Sequence, residues 1–150
     1  MTTASDQPTV IAGTDGSEAA LGAVKWAADF AARADLPLTL LHVIPRLDWH
    51  FAGADAPAEL GGTAAADGVL AAASEAVRSS HPDLEIRTQA VKGAVATVLA
   101  DAARSARILV VGAGEHRALG GHAVKIVHRT QCPVLVWRAP VAKRTGKPLP

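Results

Sequence analysis

Five short segments predicted as strands alternate with alanine-rich segments of helical periodicity, and this alternation restricts the possible folds more than any other feature. Four of the predicted strands are mainly apolar, at 9–12, 38–44, 108–111 and 132–137, and the fifth spans 85–91. The segments predicted as helices are 17–34, 63–80, 94–105 and a stretch that begins near Gly121. Their apolar residues recur every three or four positions, as on the buried face of a helix. Strands that alternate with helices indicate an α/β fold with a parallel sheet covered by helices on both faces.

The predicted sheet has a preferred strand order. Because βαβ crossovers are right-handed, five such strands favour the Rossmann-like order 3-2-1-4-5. Residues 85–91 alternate between apolar and polar side chains, as expected of a half-exposed or edge strand. In this order the winding reverses between the first and fourth strands. Open α/β sheets bind ligands at the carboxyl ends of those strands, so we expect a crevice there.

The length and charge of the chain exclude several classes of protein. A chain of 150 residues suits one domain, and 15 basic against 14 acidic residues lack the basic footprint of a nucleic-acid-binding protein. The single cysteine cannot form an intrachain disulfide, and no Cys/His cluster has the spacing of a metal site. No apolar run approaches the ~20 residues of a membrane span. We therefore expect a cytoplasmic protein with no metal, nucleic-acid or membrane partner.

The domain is predicted to occupy residues 9–138. We expect residues 1–8 to form a disordered arm and residues 139–150 a flexible tail, which is basic and contains two late prolines. Between them, residues 45–62 show no periodicity and contain Trp49 and Phe51. Loops of that length are usually functional or mobile.

Two glycine-containing segments follow the first and fourth predicted strands, at 13–17 and 112–121. In the first segment, Asp15 could accept hydrogen bonds from a ribose hydroxyl or an adenine amine. It could equally cap the turn and helix that follow it, as Asp beside Gly often does. Both roles remain open at the level of the sequence.

The second segment could bind phosphate through its backbone. Glycines allow N–H groups to approach phosphate oxygens, and a helix N-terminus adds a favourable field. The alternative is that they are ordinary turn and helix-start glycines. Cationic side chains in the segment could pair with phosphates or form a solvated face. The glycines concerned are Gly112, Gly114, Gly120 and Gly121, and the cationic candidates are His116, Arg117, His122 and Lys125.

Catalytic machinery is not apparent in the sequence. His42 lies inside an apolar run and is predicted to be a hydrogen-bonded core residue, and Cys132 a small buried hydrophobe. No set of nucleophile, base and orienting residue can be assembled, and no P-loop motif is present. We expect a protein that is not an enzyme, or at most a very weak ATPase.

The chain resembles the universal stress protein family from Val10 to Arg138. The resemblance is carried by the order and spacing of several short motifs rather than by any one of them. They are Val10–Glu18 (VIAGTDGSE), Trp26–Ala28, Leu40–Val43 (LLHV), Gly93, Ile108–Gly112 (ILVVG) and Cys132–Val136 (CPVLV).

The resemblance implies a fold like that of the adenine nucleotide alpha hydrolases and a homodimer in which the last strands meet. The dimer residues here would be Val134, Leu135, Val136 and Trp137. In the nucleotide-binding branch, ATP with Mg contacts the segment after the first strand, the end of the second strand and a loop of the form G-x2-G-x9-G-(S/T). Asp15, Val43 and Gly112 match these positions, and Thr14 beside Asp15 is a further candidate for nucleotide binding.

The chain then departs from the family loop. Gly120 and Gly121 stand where the third glycine and the Ser/Thr are expected, only seven residues separate Gly112 from Gly120, and Glu115 occupies the place of the second glycine. Two interpretations follow. In one, the protein is a dimeric regulatory or interaction module with a degenerate nucleotide site. In the other, it binds ATP or another adenine nucleotide through a shortened loop, with the nearby cationic residues supplying the lost contacts.

Overall fold

Five strands and three helices follow one another in the part of the chain that this computed structural model describes, residues 7–44, 63–113, 126 and 128–139. The strands are β1 (Thr9–Gly13), β2 (Leu38–Ile44), β3 (Ile86–Lys92), β4 (Ala106–Ala113) and β5 (Val134–Arg138). The helices are α1 (Glu18–Ala34), α2 (Thr63–Ser80) and α3 (Val95–Ala102), which a 3-10 turn, Ala103–Ser105, extends. Ile126, His128 and Arg129 are also helical, within the predicted fourth helix.

The strands form one parallel sheet in the order β3-β2-β1-β4-β5, which confirms the predicted topology. The two central strands, β1 and β4, pair with Ala12 opposite Val110. β3 and β5 lie at the two edges, as predicted for β3 from its alternating pattern. Because all strands run the same way, their carboxyl ends share one edge of the sheet.

Each face of the sheet carries its own hydrophobic core, so the predicted two-sided cover is confirmed. The first core contains residues of α1, α2 and the sheet, among them Leu38 and Leu40 of β2. The second contains residues of α3, Ile126 and the opposite face of the strands, including Leu41. A fully buried leucine contributes about 1.5–3 kcal/mol, so three such residues on β2 alone account for a large share of the stability.

Helix α1 begins and ends with standard capping interactions. Ser17 is the N-cap: its hydroxyl accepts a hydrogen bond from the Ala20 N–H, and Glu18 supplies an acidic group in the first turn. At the other end Asp35 adopts the left-handed conformation and its N–H reaches the last carbonyls of the helix. Leu21, which the sequence pattern places in the core, is only half-buried.

The buried face of α1 consists almost wholly of alanine, and this lets the helix lie very close to the sheet. A β-carbon at Gly112 of β4 would overlap the Ala19 carbonyl, and one at Gly22 would overlap the Trp137 ring. The Trp137 side chain therefore packs on α1 of its own chain. The small residues of α1, together with Gly112 of β4, allow this close approach.

The expected arm, long loop and tail fall outside the described residues, apart from Gln7, Pro8 and Ala139, which are exposed. Within the described part of the chain, none of the helices is both long enough and apolar enough to cross a membrane.

Replacing Gly112 with alanine should lower the melting temperature by about 10 °C, because an overpacked core costs about 3 kcal/mol or more. Gly68→Ala is the matched control, since no atom lies within 4 Å of the added carbon on that exposed helical position. The control should raise stability by about 1 kcal/mol. Thermal unfolding by circular dichroism measures both, and equal melting temperatures would contradict the close-packing interpretation.

Candidate functional site

The ends of β2, β1 and β4 come together at the carboxyl edge of the sheet, where the sequence predicts a crevice. Gly13 of β1 pairs with Leu41 of β2, and Ala12 pairs with Val110 of β4. The loop after β1 is thus flanked by the last residues of β2 on one side and by Gly112 on the other. The structure confirms that the two predicted glycine-containing segments begin at neighbouring positions.

Hydrogen bonds hold the loop after β1 in one conformation. The Thr14 N–H donates to the Leu41 carbonyl at 2.9 Å, and the Thr14 hydroxyl accepts from the Gly16 N–H at 3.3 Å. Thr14 is only 7% exposed. Gly16 has a φ of 85°, in the region that favours glycine, and Val69 of α2 lies against it. The loop is therefore ordered before any ligand arrives.

Asp15 fills the first of the two roles that the sequence left open, the capping of the turn. Its Oδ1 accepts a hydrogen bond from the Ser17 N–H at 2.9 Å, which is the turn-capping role. The residue is exposed, and no other hydrogen bond or ion pair reaches its carboxylate from the described residues. The capping bond fixes the side chain, so Oδ2 remains available to accept from a ligand hydroxyl or amine.

The end of β2 contributes His42 and Val43. His42 is half-buried and its Nδ1 lies 2.8 Å from the Thr14 carbonyl oxygen, so the predicted hydrogen-bonded histidine is found, but at the site rather than deep in the core. Val43 is half-buried and packs on the second core. Sequence reasoning missed the link from His42 to Thr14. The available signal was the position of His42, a side chain with a ring N–H, near the end of an otherwise apolar strand.

Gly112 serves helix packing. It is buried under the first turn of α1, which explains why glycine is required there without any phosphate. The remaining predicted phosphate-side residues lie outside the described part of the chain. They are Gly114, Gly120, Gly121 and His122, together with His116, Arg117 and Lys125.

The start of α3 also reaches this edge. Gly93, with a φ of 155°, donates its N–H to the Ile44 carbonyl at 3.0 Å and so ties the end of β3 to the end of β2. Ala94 occupies the N-cap position, and no side chain caps the helix. The first N–H groups of α3 consequently lack the side-chain acceptor that Ser17 gives to α1.

Cys132 lies before β5 and packs against the second core, but it is half-buried and so less buried than predicted. Burial raises the pKa of its thiol above the ordinary value, which favours the unreactive protonated form. Within the described residues, no group of three or more His, Cys, Asp or Glu side chains could hold a metal ion.

The outer edge strand β5 presents few large apolar side chains to solvent. Val134 and Leu135 pack partly on the two cores, and the Trp137 ring lies on Gly22. Val136 is 37% exposed. Of the four predicted dimer residues, Val136 is the one whose side chain is exposed at this edge.

Comparison with known proteins agrees with this architecture. The sequence model of the Universal stress protein family matches residues 8–138. The chain belongs to this family. One universal stress protein of Mycobacterium tuberculosis is 32% identical over 136 residues, covering 87% of this chain and 48% of its own length. Another from the same organism is 36% identical over 131 residues, covering 85% and 47%. The chain thus spans about half the length of the curated relatives that it matches.

Solved structures share the fold at lower identity. A universal stress protein in complex with cAMP matches with a TM-score of 0.69 and 23% identity, covering 89% of this chain and 98% of that one. The universal stress protein of Archaeoglobus fulgidus in complex with dAMP gives 0.66 and 19%, covering 87% and 97%. A family member from Arabidopsis thaliana with AMP bound gives 0.60 and 17%, covering 89% and 93%.

The two helix starts at this edge should respond oppositely to substitution. Ser17→Ala should lower the free energy of unfolding by about 1 kcal/mol because it removes the hydroxyl that caps α1. Ala94→Ser should raise it by about 0.5–1 kcal/mol because it supplies the cap that α3 lacks. Urea unfolding measures both changes. An Ala94→Ser variant no more stable than the wild type would show that the α3 start already has its acceptors.

Proposed function

We propose that this domain binds an adenine nucleotide at the carboxyl edge of its sheet and favours a monophosphate over ATP. The observation that carries the proposal is the Asp15 carboxylate, which one hydrogen bond fixes and whose second oxygen is left to a ligand. A fixed acceptor loses little entropy on binding, which raises the affinity that one contact can give. Similar structures that contain cAMP, dAMP and AMP support this ligand class.

The shortened loop supports the choice of a monophosphate. Only seven residues separate Gly112 from Gly120, so fewer backbone N–H groups are available to surround a triphosphate than in the family motif. Glu115 adds a negative charge to the same segment. Two like charges 4 Å apart repel by about 1 kcal/mol even in bulk water, and each further phosphate adds to the penalty. The proposed site is degenerate in the segment that would surround the phosphates of ATP, while the residues proposed to contact the base and ribose are kept.

Binding rather than catalysis is the proposed activity. Asp15 supplies an acceptor for a ligand, Thr14 and His42 hold the loop that carries it, and the described residues offer no nucleophile paired with a base at this edge. A nucleotide-responsive regulatory module fits such a site better than a hydrolase does.

Calorimetric titration with AMP and with ATP plus magnesium tests the proposal. AMP should bind at millimolar concentration or below and more tightly than ATP. Asp15→Ala should weaken AMP binding about tenfold or more, since a hydrogen bond to a charged group contributes about 1.5–3 kcal/mol. Asp15→Asn is the control that keeps the turn-capping acceptor and loses only the charge, so its affinity should lie between the two. No heat with folded wild-type protein, or equal affinity in Asp15→Ala, would contradict the proposal.

A second candidate function is assembly through β5, giving a homodimer. Among the described residues no strand pairs with the outer edge of β5, and Val136 beside it is 37% exposed. Open strand edges readily pair with another copy. The alanine-rich helices bury little apolar surface each, so burial between two copies would add to stability.

Val136→Lys should convert the dimer to a monomer, because a charge would be buried where the two strands meet. Val91→Lys is a matched control, since Val91 is also 37% exposed and lies on the opposite edge strand β3. Light scattering at about 100 µM should show a dimer for the wild type and for the control. A monomeric wild type, or dissociation by the control alone, would exclude assembly through β5.

A further inference from the structure

The backbone hydrogen bonds between β1 and β2 follow a regular alternation up to the candidate site. The Leu38 N–H donates to Glu85, next to β3, so the odd-numbered residues of β2 turn their N–H groups toward β1. From the β1 side, the Val10 N–H donates to Pro37 and the Thr14 N–H to Leu41. If this alternation continued, the Thr14 carbonyl would accept the next hydrogen bond from the Val43 N–H.

The structure replaces that next bond with a side chain. The Thr14 carbonyl oxygen lies 2.8 Å from Nδ1 of His42, and a carbonyl can only accept, so Nδ1 carries the proton. The paired positions of β1 and β2 end at Gly13 and Leu41, and no cross-strand pair is formed beyond them in the described residues. The Val43 N–H therefore points toward the loop after β1 without the partner that the ladder would provide.

We propose that His42 is a positioning residue, which keeps the end of the β1–β2 ladder open so that the Val43 N–H and the Asp15 loop can meet a ligand. This inference rests on the proposed nucleotide binding. By holding the Thr14 carbonyl, His42 also sets the plane of the Thr14–Asp15 peptide. The C=O and N–H of a trans peptide point in opposite directions, so the Asp15 N–H points away from His42 when the Thr14 carbonyl points toward it.

Loss of the ring donor has a specific consequence. Thr14 is only 7% exposed, so its carbonyl needs a hydrogen-bond donor from the protein. Without the ring of His42, the next donor along β2 is the Val43 N–H. In His42→Leu we expect the Val43 N–H to donate to the Thr14 carbonyl, which extends the pairing of β1 with β2 by one hydrogen bond. In His42→Asn the amide nitrogen is separated from Cβ by the same number of bonds as Nδ1, so the donor is restored and the ladder stays open.

Nuclear magnetic resonance on the protein without nucleotide tests the first half of the inference. The ¹⁵N shifts of the wild type should show that Nδ1 of the His42 ring carries a proton. The Val43 amide should exchange with solvent about tenfold more slowly in His42→Leu than in the wild type, and at the wild-type rate in His42→Asn. A ring protonated only at Nε2 would overturn the inference. This measurement uses the wild type and does not depend on the folding of any variant.

AMP titration tests the second half. His42→Leu should bind AMP about fivefold to tenfold more weakly than the wild type, the effect of about one hydrogen bond, and His42→Asn should recover most of that affinity. The His42→Leu variant could bind AMP as tightly as the wild type even though its Val43 amide has become protected from exchange. That result would overturn the positioning role and show that His42 has only a structural role. If the wild type binds no AMP, the proposed function is wrong and the positioning role falls with it. The ring and exchange data would then still report whether His42 keeps the ladder open.

Discussion

The close approach of α1 to the sheet is the constraint on which the rest of the structure depends. Its first turn lies directly on β4 at Gly112, with no room for a β-carbon against the Ala19 carbonyl. The start of the helix is thereby fixed, and Ser17 caps it there. The loop from β1 must reach that fixed point within four residues, so the position of Asp15 follows from how tightly alanine packs on glycine.

The sequence predicted the strand order and the two-sided core because those depend on patterns within each element. The edge strand predicted at 85–91 is Ile86–Lys92, a shift of one residue. The roles of His42 and Gly112 could not be predicted in the same way. His42 bonds to Thr14 because of the register between β1 and β2, and a glycine after β4 suits a phosphate loop and a close helix contact equally well. Only the placement of neighbouring elements separates such alternatives.

At Asp15 the structural role and the proposed binding role need not compete. A carboxylate has two oxygens, and the Ser17 N–H engages one of them. That bond orients the side chain and leaves the other oxygen in a fixed position at the sheet edge. The cap therefore improves the acceptor, because a side chain that is already held loses less rotamer freedom when a ligand arrives.

The two sides of the site are built by different parts of the chain, and this has a consequence for ligand choice. The side that we propose for the base and ribose is built from β1, β2 and the loop between β1 and α1, which hydrogen bonds and α1 hold together. Gly112, where the proposed phosphate segment begins, is held by its pairing with β5 and by the packing of α1. Under the proposed function, shortening the segment beyond Gly112 would remove phosphate contacts and leave the pairing of β1 with β2 in place. A site built in this way would lose affinity for a triphosphate without losing recognition of a nucleoside, so the number of phosphates would be the property most easily changed.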